Sequence, residues 1–311
     1  MSNVAIVIVS YNSASEIGEC LDAALALADA EIIVVDNASE DDTKDQVKKR
    51  PVRLMANQTN RGFAAAVNQA TASTTCEYVL LLNPDAVLLT GIGALVQLCA
   101  EPGGGAAGGQ LVDAEGHPQT GFTVRRFPTP MALCFEALTI NRAWPRNPVN
   151  WQYRCYDLDL TRVADVDQPA GAFLMFKRDS WERVGGFDEQ FDPIWFEDVD
   201  FCRRLRDAGL TIGFTPAAVA KHTGGHSVGS LTVEKRTIYW YRSLLRYSAK
   251  HYSSGYHRMV CAAVMTGSIL RILIGLISSR RIQSFMVYSR VFRLAAALFW
   301  GIRQGRVEVV S

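Results

Sequence analysis

Short runs of consecutive apolar residues alternate with amphipathic stretches from the N-terminus to Asp85. Such runs are typical of strands buried in a parallel sheet, and an apolar period of three to four is typical of helices packed on it. The runs predict four strands, at residues 4–9, 31–36, 52–56 and 78–82, and the intervening stretches predict helices at residues 14–28, about 43–50 and 64–72. This β-α alternation, with right-handed crossovers, predicts a doubly wound α/β sheet.

A polar residue follows each of the four predicted strands. The last run ends in Asn83-Pro84-Asp85, where Pro84 stops the strand ladder because it has no N–H to donate. Taken alone, this turn is equally consistent with a helix N-cap. Because open α/β sheets hold ligands at the carboxyl ends of their strands, four polar strand ends together favour one ligand crevice. The residues at these ends are Asn12, Asp36, Asn57 and Asp85.

The glycine pattern excludes two common nucleotide loops. The loop after the first strand reads Ser10-Tyr11-Asn12 and lacks the G-x-G-x-x-G of a dinucleotide fold. A glycine-rich stretch at residues 103–109 precedes an apolar strand instead of opening a helix, and we interpret it as flexible backbone. No Walker motif and no esterase-like ordering of Ser, His and Asp is present.

The middle of the chain is less regular. Residues 110–116 resemble a hairpin, and residues 125–150, which contain proline and arginine, predict a long surface loop of the kind that sets specificity. A buried strand is predicted within residues 167–177. A short helix at residues 178–184 follows and is closed by Gly185-Gly186.

Three acids open the next predicted helix, at residues 199–208. Glu197, Asp198 and Asp200 complement the positive end of that helix, but one acid would suffice for this purpose. Their position beside Trp195 and Phe196 favours a sugar-facing site, in which an aromatic plane packs on a ring and a carboxylate takes a hydroxyl proton.

A histidine follows the predicted strand at residues 211–215. We expect His222 to lie in a glycine-rich loop, free to swing toward a metal held by Asp85, although a lone histidine is more often structural. His226 is a weaker candidate for the same role.

The charge is distributed unevenly along the 311 residues. The net charge is +1, yet residues 231–311 carry thirteen basic and two acidic residues. Nucleic acid is one possible partner for such a tail, but its aliphatic content favours an anionic membrane surface. We therefore divide the chain into a domain at residues 1–230 and a helical region at residues 231–311.

The tail contains three apolar-basic segments with helical pattern, at residues 233–253, 259–277 and 285–303. The second is long enough to span a bilayer but contains Arg271, which costs about 2.5–3.5 kcal/mol near the bilayer centre on insertion scales. We expect these helices to lie in the interface of an anionic bilayer. Ordinary helical packing, a homo-oligomer contact or a true span are the alternatives.

The seven cysteines are odd in number and form no C-x-x-C pair, which is typical of small core residues in a reducing compartment. The N-terminus enters a strand almost at once, without the basic and cleavage regions of a signal peptide. We therefore expect a cytoplasmic protein, peripheral on the inner face of the plasma membrane.

With these residues in view, the chain resembles the family 2 glycosyltransferases of GT-A fold, most closely their rhamnosyltransferase branch. The resemblance is carried, in the family's order, by the segments at residues 9–12, 34–39, 60–64 with Asn68, 81–85, 171–175, 185–189 and 196–200, and by His222. It implies a mixed, doubly wound sheet with a nucleotide-sugar half, followed by the basic-apolar helical appendage.

The resemblance also implies roles for individual residues. Asp198 would be the catalytic base and Glu197 its tuning neighbour, while Asp85 and His222 would bind Mg²⁺ or Mn²⁺. Asp36 would accept from the N3–H of a uracil or thymine base. The other nucleotide-sugar-binding residues would be Ser10, Tyr11, Asn12, Asn60, Arg61, Gly62 and Asn83, and the acceptor-binding residues would be Trp195, Gly186, Phe187 and Asp188.

One departure concerns the family's D-x-D element, which reads Asn83-Pro84-Asp85 here and lacks the first carboxylate.

The implied function is an inverting, metal-dependent transfer of a hexosyl or rhamnosyl group from a UDP- or dTDP-sugar, with dTDP-rhamnose as the first choice. The acceptor would be a hydroxyl of a glycan or polyprenyl-linked glycan in cell-surface polysaccharide synthesis. A sugar nucleotidyltransferase and a non-catalytic carbohydrate-binding scaffold are the alternatives. The first loop lacks the Gly/Arg-rich signature and the lysine of a nucleotidyltransferase. A scaffold with a decayed site is disfavoured because the set of Asp36, Asp85, Asp198 and His222 is intact.

Overall fold

The computed structural model describes residues 3–224, 231–277 and 281–301. His226 lies outside the described residues. The chain divides into two compact units, Met1–Phe127 with Arg154–Ser230, and Pro128–Tyr153 with Leu231–Ser311. The division at residue 230 that the sequence suggests assigns residues 128–153 to the first region instead, because local patterns do not show which helices pack together.

The first half of the sheet is parallel, as predicted. Its strands, in the spatial order β3-β2-β1-β4, are β1 (Val4–Ser10), β2 (Glu31–Asp36), β3 (Arg53–Ala56) and β4 (Tyr78–Leu82). The connecting helices are α1 (Ile17–Leu27), α2 (Thr43–Lys48) and α3 (Phe63–Ala72). Alternate residues of β1 and β4 enter two apolar cores, one on each face of the sheet, which explains why these strands read as unbroken apolar runs.

The second half makes the sheet mixed. After β5 (Ala86–Leu88), α4 (Gly93–Ala100), β6 (Gly104–Val112) and β7 (Val124–Arg125), the first unit continues with β8 (Ala164–Asp165), β9 (Gln168–Pro169), β10 (Phe173–Lys177), α8 (Arg178–Val184), α9 (Glu197–Asp207) and β11 (Thr211–His222). Strand β10 runs antiparallel between β4 and β6, β11 is parallel to β6, and β5 pairs antiparallel with β11 at the edge. The predicted α/β class with a doubly wound mixed sheet is confirmed.

The glycine-rich stretch is a buried strand, so its interpretation as flexible backbone is wrong. Every residue of β6 is buried. A Cβ added at Gly108 would lie 2.2 Å from Cβ of Pro169, and one at Gly109 would lie 2.2 Å from Cε1 of Phe173. The missing side chains therefore leave room for Pro169 of β9 and for the ring of Phe173 on the neighbouring strand β10.

We expect Gly108→Ala to destabilise the protein by about 1–3 kcal/mol, because the added methyl group overpacks a strand that has no room for it. Gly93→Ala is the matched control, since a Cβ at Gly93 meets nothing within 4 Å. Urea unfolding of both variants measures the difference. Equal stability of the two variants would mean that β6 tolerates side chains.

The predicted surface loop at residues 125–150 is also largely helical. It contains α5 (Pro130–Ala137), α6 (Ile140–Ala143) and α7 (Pro148–Tyr153). Thr129 caps α5 by accepting a hydrogen bond from Ala132 N at 3.1 Å, and Pro130 occupies the first turn, where it has no bond to lose. Two of the prolines that suggested a loop, Pro130 and Pro148, are thus helix-start residues.

The remaining described helices are α10 (Val233–His251), α11 (Ser254–Ile277) and α12 (Arg281–Phe299). They pack on one another, and α11 also packs on α5. Within α11 the segment Ser254–Gly275 is long and apolar enough to cross a membrane. About two fifths of its most apolar part, 39%, is buried within the protein. By length and composition alone this is weak evidence for a span.

Candidate active site

The loops after β1 and β2 meet at the carboxyl edge of the sheet. The buried Asp36 carboxylate accepts hydrogen bonds from Ser39 N at 3.0 Å, from the Ser39 hydroxyl, and from Ser10 Oγ at 3.2 Å. Asn12 adopts a left-handed conformation with φ of 51°, and its side-chain oxygen accepts from Glu40 N at 2.8 Å. The structure therefore brings Ser10, Asn12 and Asp36 together as predicted, with half-buried Tyr11 between the first two along the chain.

A chain of side-chain amides extends this edge toward Arg61. Asn37 donates to Gly62 O at 3.1 Å, and Asn57 donates to Asn37 Oδ1 at 2.9 Å. Gln69 in turn donates to Asn57 Oδ1 at 3.1 Å and accepts from the exposed Arg61 guanidinium at 3.3 Å. Asn37 and Gln69 are absent from the set predicted from the sequence, because their contacts join residues 8 to 25 positions apart.

Gly62 is required by two features of its surroundings. Its φ of 80° favours glycine, and a Cβ there would lie 2.9 Å from Asp192 Oδ1. Asn60 Oδ1 accepts from Gly62 N at 2.9 Å, and Phe63 N donates to Pro193 O at 2.8 Å. The 60–63 loop is thus hydrogen-bonded to the segment that precedes Trp195.

Asp85 and His222 form a buried pair. His222 Nε2 lies 3.4 Å from Asp85 Oδ1, and the two side chains are only 5% and 6% exposed. The expectation that His222 swings in a flexible loop is wrong, because β11 continues through twelve residues and pairs His222 with Ala86. Strand pairing, and not loop motion, therefore places the imidazole beside the carboxylate.

Two residues absent from the predicted set hold the His222 ring. Gln119 donates to His222 O at 2.6 Å, and its side-chain oxygen lies 3.4 Å from Nδ1. The Phe122 ring stacks on the imidazole at a centroid distance of 5.3 Å and an angle of 7°. Both residues follow the turn after β6, and no motif in the sequence marks them.

The pair fits a divalent cation. Among the described residues His222 Nε2 makes no hydrogen bond, although it is buried beside a carboxylate oxygen. A buried nitrogen lone pair next to a buried carboxylate is a usable donor set for Mn²⁺ or Mg²⁺, which also takes oxygens from substrate phosphates. Asn83, two residues before Asp85, has an amide side chain and carries no charge.

We expect Gln119→Leu to lower the affinity for Mn²⁺ by about 10–100-fold, since outer partners of a metal-binding histidine fix its orientation and the nitrogen that it presents. Isothermal titration with Mn²⁺ and a nucleotide measures this change without requiring turnover. Gln152→Leu, at an exposed position on α7, is the control. Unaltered Mn²⁺ affinity in Gln119→Leu would exclude this orienting role.

Asp198 lies in the first turn of α9 and is held by backbone groups. Its Oδ2 accepts from Gly171 N at 3.0 Å, and its Oδ1 accepts from Val199 N at 2.8 Å. Ala172, which follows Gly171 in the chain, accepts a hydrogen bond through its carbonyl oxygen from Asn83 N at 3.1 Å. The 171–172 segment therefore links the turn that carries Asp85 to the carboxylate of Asp198.

The three acids of α9 have different environments. Asp200 is fully buried and pairs with Arg204 at 2.8 Å, so it is structural. Glu197 is buried, and its Oε2 has no hydrogen-bond partner among the described residues. Burial first, and then the charges of Asp198 and Asp200, raise the pKa of Glu197 well above its ordinary value of 4.5. Glu197 is therefore suited to be a neutral neighbour of Asp198.

We expect Glu197→Gln to be more stable than the parent chain at neutral pH. Because the pKa of Glu197 is raised in the folded state, the unfolded chain releases this proton first, and stability falls as pH rises above 4.5. Glutamine mimics the protonated acid and removes that dependence. Melting curves from pH 4 to pH 8 measure the effect, with the exposed Glu101→Gln as control. A parallel pH dependence in parent and variant would show that Glu197 is ionised in the folded protein.

The backbone before Asp198 is strained. Trp195 and Phe196 have φ of 78° and 68°, the left-handed region that costs side-chain-bearing residues about 1–2 kcal/mol each. The Trp195 side chain is half-buried and Phe196 is buried. This bend starts α9 at Glu197 and sets the direction in which Asp198 leaves the chain.

Asn68 holds the loop that follows α8. Its Oδ1 accepts from Phe187 N at 2.8 Å and Trp181 Nε1 at 3.0 Å, and its Nδ2 donates to Phe187 O at 2.9 Å. Gly186 has no room for a side chain, because a Cβ there would lie 2.8 Å from Asn68 Oδ1. Phe187 is buried and stacks on Phe201 at 4.2 Å. The side chain of Phe187 therefore belongs to the core, and the prediction that it faces an acceptor is wrong. Asp188, the next residue, is half-buried.

Sequence comparisons agree with this geometry. The profile described as Glycosyl transferase family 2 matches residues 5–182, more than half of the chain, and the profile described as N-terminal domain of galactosyltransferase matches residues 161–225. The chain is 28% identical over 277 residues to an N-acetylglucosaminyl-diphospho-decaprenol L-rhamnosyltransferase of Mycobacterium tuberculosis, covering 79% of this chain and 88% of that protein. It is 23% identical over 227 residues to the low-salt glycan biosynthesis hexosyltransferase Agl10 of Haloferax volcanii, covering 71% and 67% of the two chains.

Solved structures show the same fold. A mannosyltransferase of Pyrobaculum calidifontis, in complex with GDP-Man and Mn²⁺, superposes with a TM-score of 0.55 at 18% identity, covering 97% of this chain and 88% of that one. The structure of GalNAc-T7 with UDP, GalNAc and Mn²⁺ superposes with a TM-score of 0.56 at 13% identity, covering 96% and 57%. Together with the profile match, they identify the chain as a member of glycosyl transferase family 2 with a GT-A fold, a glycosyltransferase.

Proposed function

We propose that this glycosyltransferase moves a sugar, with inversion, from a UDP- or dTDP-sugar to a hydroxyl group of a lipid-linked glycan, and that dTDP-rhamnose is its donor. The observation that carries the proposal is the buried Asp85–His222 pair, joined to Asp198 through the hydrogen bonds of the 171–172 segment. A cation site and a carboxylate base at one sheet edge are the two groups that this chemistry needs.

Asp85 and His222 would hold Mg²⁺ or Mn²⁺, which would supply charge neutralisation for the departing diphosphate. The 60–63 loop, with Asn60, Arg61 and Gly62, would lie along the same diphosphate, where the exposed Arg61 would offer its positive charge. Asn83 would contribute an amide to the donor sugar. Because the turn has one carboxylate fewer than a D-x-D element, Asp85 would be the single strand-end acid on the metal.

The proposed base is Asp198. Its two oxygens accept from backbone N–H groups, so the carboxylate is oriented while one lone pair on each oxygen remains for a substrate hydroxyl. The acceptor oxygen would attack the anomeric carbon as its proton passes to Asp198, and the bond from that carbon to the diphosphate oxygen would break on the opposite face. Buried Glu197, kept protonated, would avoid a second negative charge beside the base.

The Ser10–Asn12 loop and Asp36 would form the wall for the uracil or thymine base, and the half-buried Trp195 would pack on the acceptor with Gly186 and Asp188 nearby. The Mycobacterium tuberculosis relative, which by its name transfers L-rhamnose to N-acetylglucosaminyl-diphospho-decaprenol, supports rhamnose as the sugar and a polyprenyl-linked acceptor. Such an acceptor would place the enzyme at the inner face of the plasma membrane, in cell-surface polysaccharide synthesis.

A donor panel tests the proposal directly. We expect dTDP-rhamnose with Mn²⁺ to raise the melting temperature more than UDP-glucose, UDP-galactofuranose or GDP-mannose, and the shift to vanish with EDTA. Transfer of labelled rhamnose to N-acetylglucosaminyl-diphospho-polyprenol, with release of dTDP, is the functional readout. Stabilisation by GDP-mannose alone, or transfer that is insensitive to EDTA, would overturn the donor or the metal assignment respectively.

A further inference from the structure

Helix α11 has two different faces. Its inner face packs within the second unit through the buried residues Val260, Cys261, Val264, Gly267 and Ser268. The opposite face carries four large aliphatic side chains that are 42–64% exposed, Ile269, Leu270, Leu273 and Ile274. The spacing of three and four residues places these four on one stripe of the helix. A contiguous exposed aliphatic stripe of this kind marks an interaction site.

Arg271 is turned away from that stripe. Its guanidinium donates to Ala137 O at 2.5 Å and to Gly267 O at 3.1 Å, and it lies over the rings of Tyr241 and Tyr288 at 5.7 and 5.5 Å. The single charged residue of the apolar stretch is therefore hydrogen-bonded inside the unit to the carbonyl end of α5. The outward face is left without a charge, although the sequence places an arginine at its centre.

The exposed stripe continues onto α12. A Cβ added at Gly275 would lie 2.5 Å from Cβ of Ser284, so the two helices touch at this end. Phe285 and Met286, which follow the contact, are 56% and 46% exposed. We call the apolar end formed by Ile269, Leu270, Leu273, Ile274, Phe285 and Met286 the α11–α12 tip.

The unit that carries the tip is strongly basic. Residues 128–153 and 231–311 contain fifteen basic and three acidic residues, a net charge of +12, whereas the rest of the chain has a net charge of −11. Exposed Arg293 lies on the helix that carries Phe285 and Met286, and exposed Arg258 lies on the other helix of the tip. Two copies meeting through this face would bring together units of the same sign, whereas an anionic bilayer offers the opposite sign and an apolar interior.

We propose that the α11–α12 tip inserts its aliphatic side chains into one leaflet of an anionic phospholipid bilayer, as an interfacial anchor that does not span the membrane. A span would strip α11 from the contacts of Arg271 and expose that charge to lipid. Interfacial docking keeps those contacts and buries only the side chains that are already exposed. The anchor acts independently of the identity of the donor sugar.

Vesicle sedimentation of the full chain tests the anchor. We expect binding to vesicles that contain phosphatidylglycerol and little binding to pure phosphatidylcholine, with release by alkaline carbonate. Leu273→Glu with Ile274→Glu is expected to weaken binding by about tenfold or more, because it removes two aliphatic groups and adds like charge to that of the lipid. Leu27→Glu with Leu89→Glu, two exposed leucines of the first unit, is the matched control and should bind like the parent chain.

Both double variants should retain the circular dichroism spectrum and melting temperature of the parent, since all four positions are exposed. Retention in the membrane after carbonate treatment would overturn the proposal in favour of a span. A dimer in light scattering that the Leu273/Ile274 variant converts to a monomer, without vesicle binding by the parent, would overturn it in favour of a second copy of the chain. Equal vesicle binding by both double variants would also overturn it.

Discussion

Replacing Asp198 by Asn is expected to lower the turnover number by about 10²–10⁴-fold, the usual worth of a positioned general base. The amide oxygen of Asn can still accept from Gly171 N or Val199 N, so the first turn of α9 keeps its structure. What would be lost is the carboxylate proposed to take the acceptor proton. Affinity for the nucleotide sugar should be retained, because the residues proposed to bind it lie on the loops after β1, β2, β3 and β4.

The experiment compares steady-state transfer with donor affinity from titration. Asp29→Asn is the control, since Asp29 is an exposed carboxylate just before β2, at the opposite edge of the sheet. A normal turnover number in Asp198→Asn would remove Asp198 from the role of base. Loss of donor affinity instead of turnover would move it to the nucleotide site.

Replacing Asp85 by Ala should weaken metal-dependent nucleotide binding by about 100-fold or more, because even outer partners of metal ligands are worth 10–100-fold. The chain places no second acid in the Asn83-Pro84-Asp85 turn, so no neighbouring carboxylate can substitute for the one removed. His222 alone would retain a nitrogen donor without the anionic charge that a hard cation prefers.

Titration of the nucleotide with and without Mn²⁺ separates this effect from general damage. The parent chain should show a large Mn²⁺ dependence and Asp85→Ala a small one, while Asp29→Ala behaves as the parent. Identical Mn²⁺ dependence in Asp85→Ala and the parent would place the cation elsewhere.

The elements that the sequence predicts well are those whose signal is local. The apolar runs at β1, β2 and β4 are typical of strands that are buried on both faces of a sheet. Pro84 ends the last of these runs. Because strand ends converge, Asp36 and Asp85 follow from the same reasoning. Three acids in one helical turn mark the start of α9 as a candidate site, and only the family resemblance singles out Asp198 among them.

The elements that the sequence does not predict depend on contacts between distant segments. Strand β6 carries four glycines and no pattern of large apolar residues, and only the neighbouring Pro169 and Phe173 explain why side chains are absent. Gln119 is an ordinary polar residue until His222 is folded against it. The extension of β11 to His222 likewise depends on its pairing with β5 and β6.

The left-handed pair Trp195–Phe196 has a consequence for engineering this enzyme. Glycine at either position would relieve an unfavourable conformation and is expected to raise thermal stability. The same change would widen the range of directions open to the chain just ahead of Asp198, so a more heat-resistant variant would hold its carboxylate less well. Selection for thermostability alone would therefore draw substitutions to the positions where they harm turnover most.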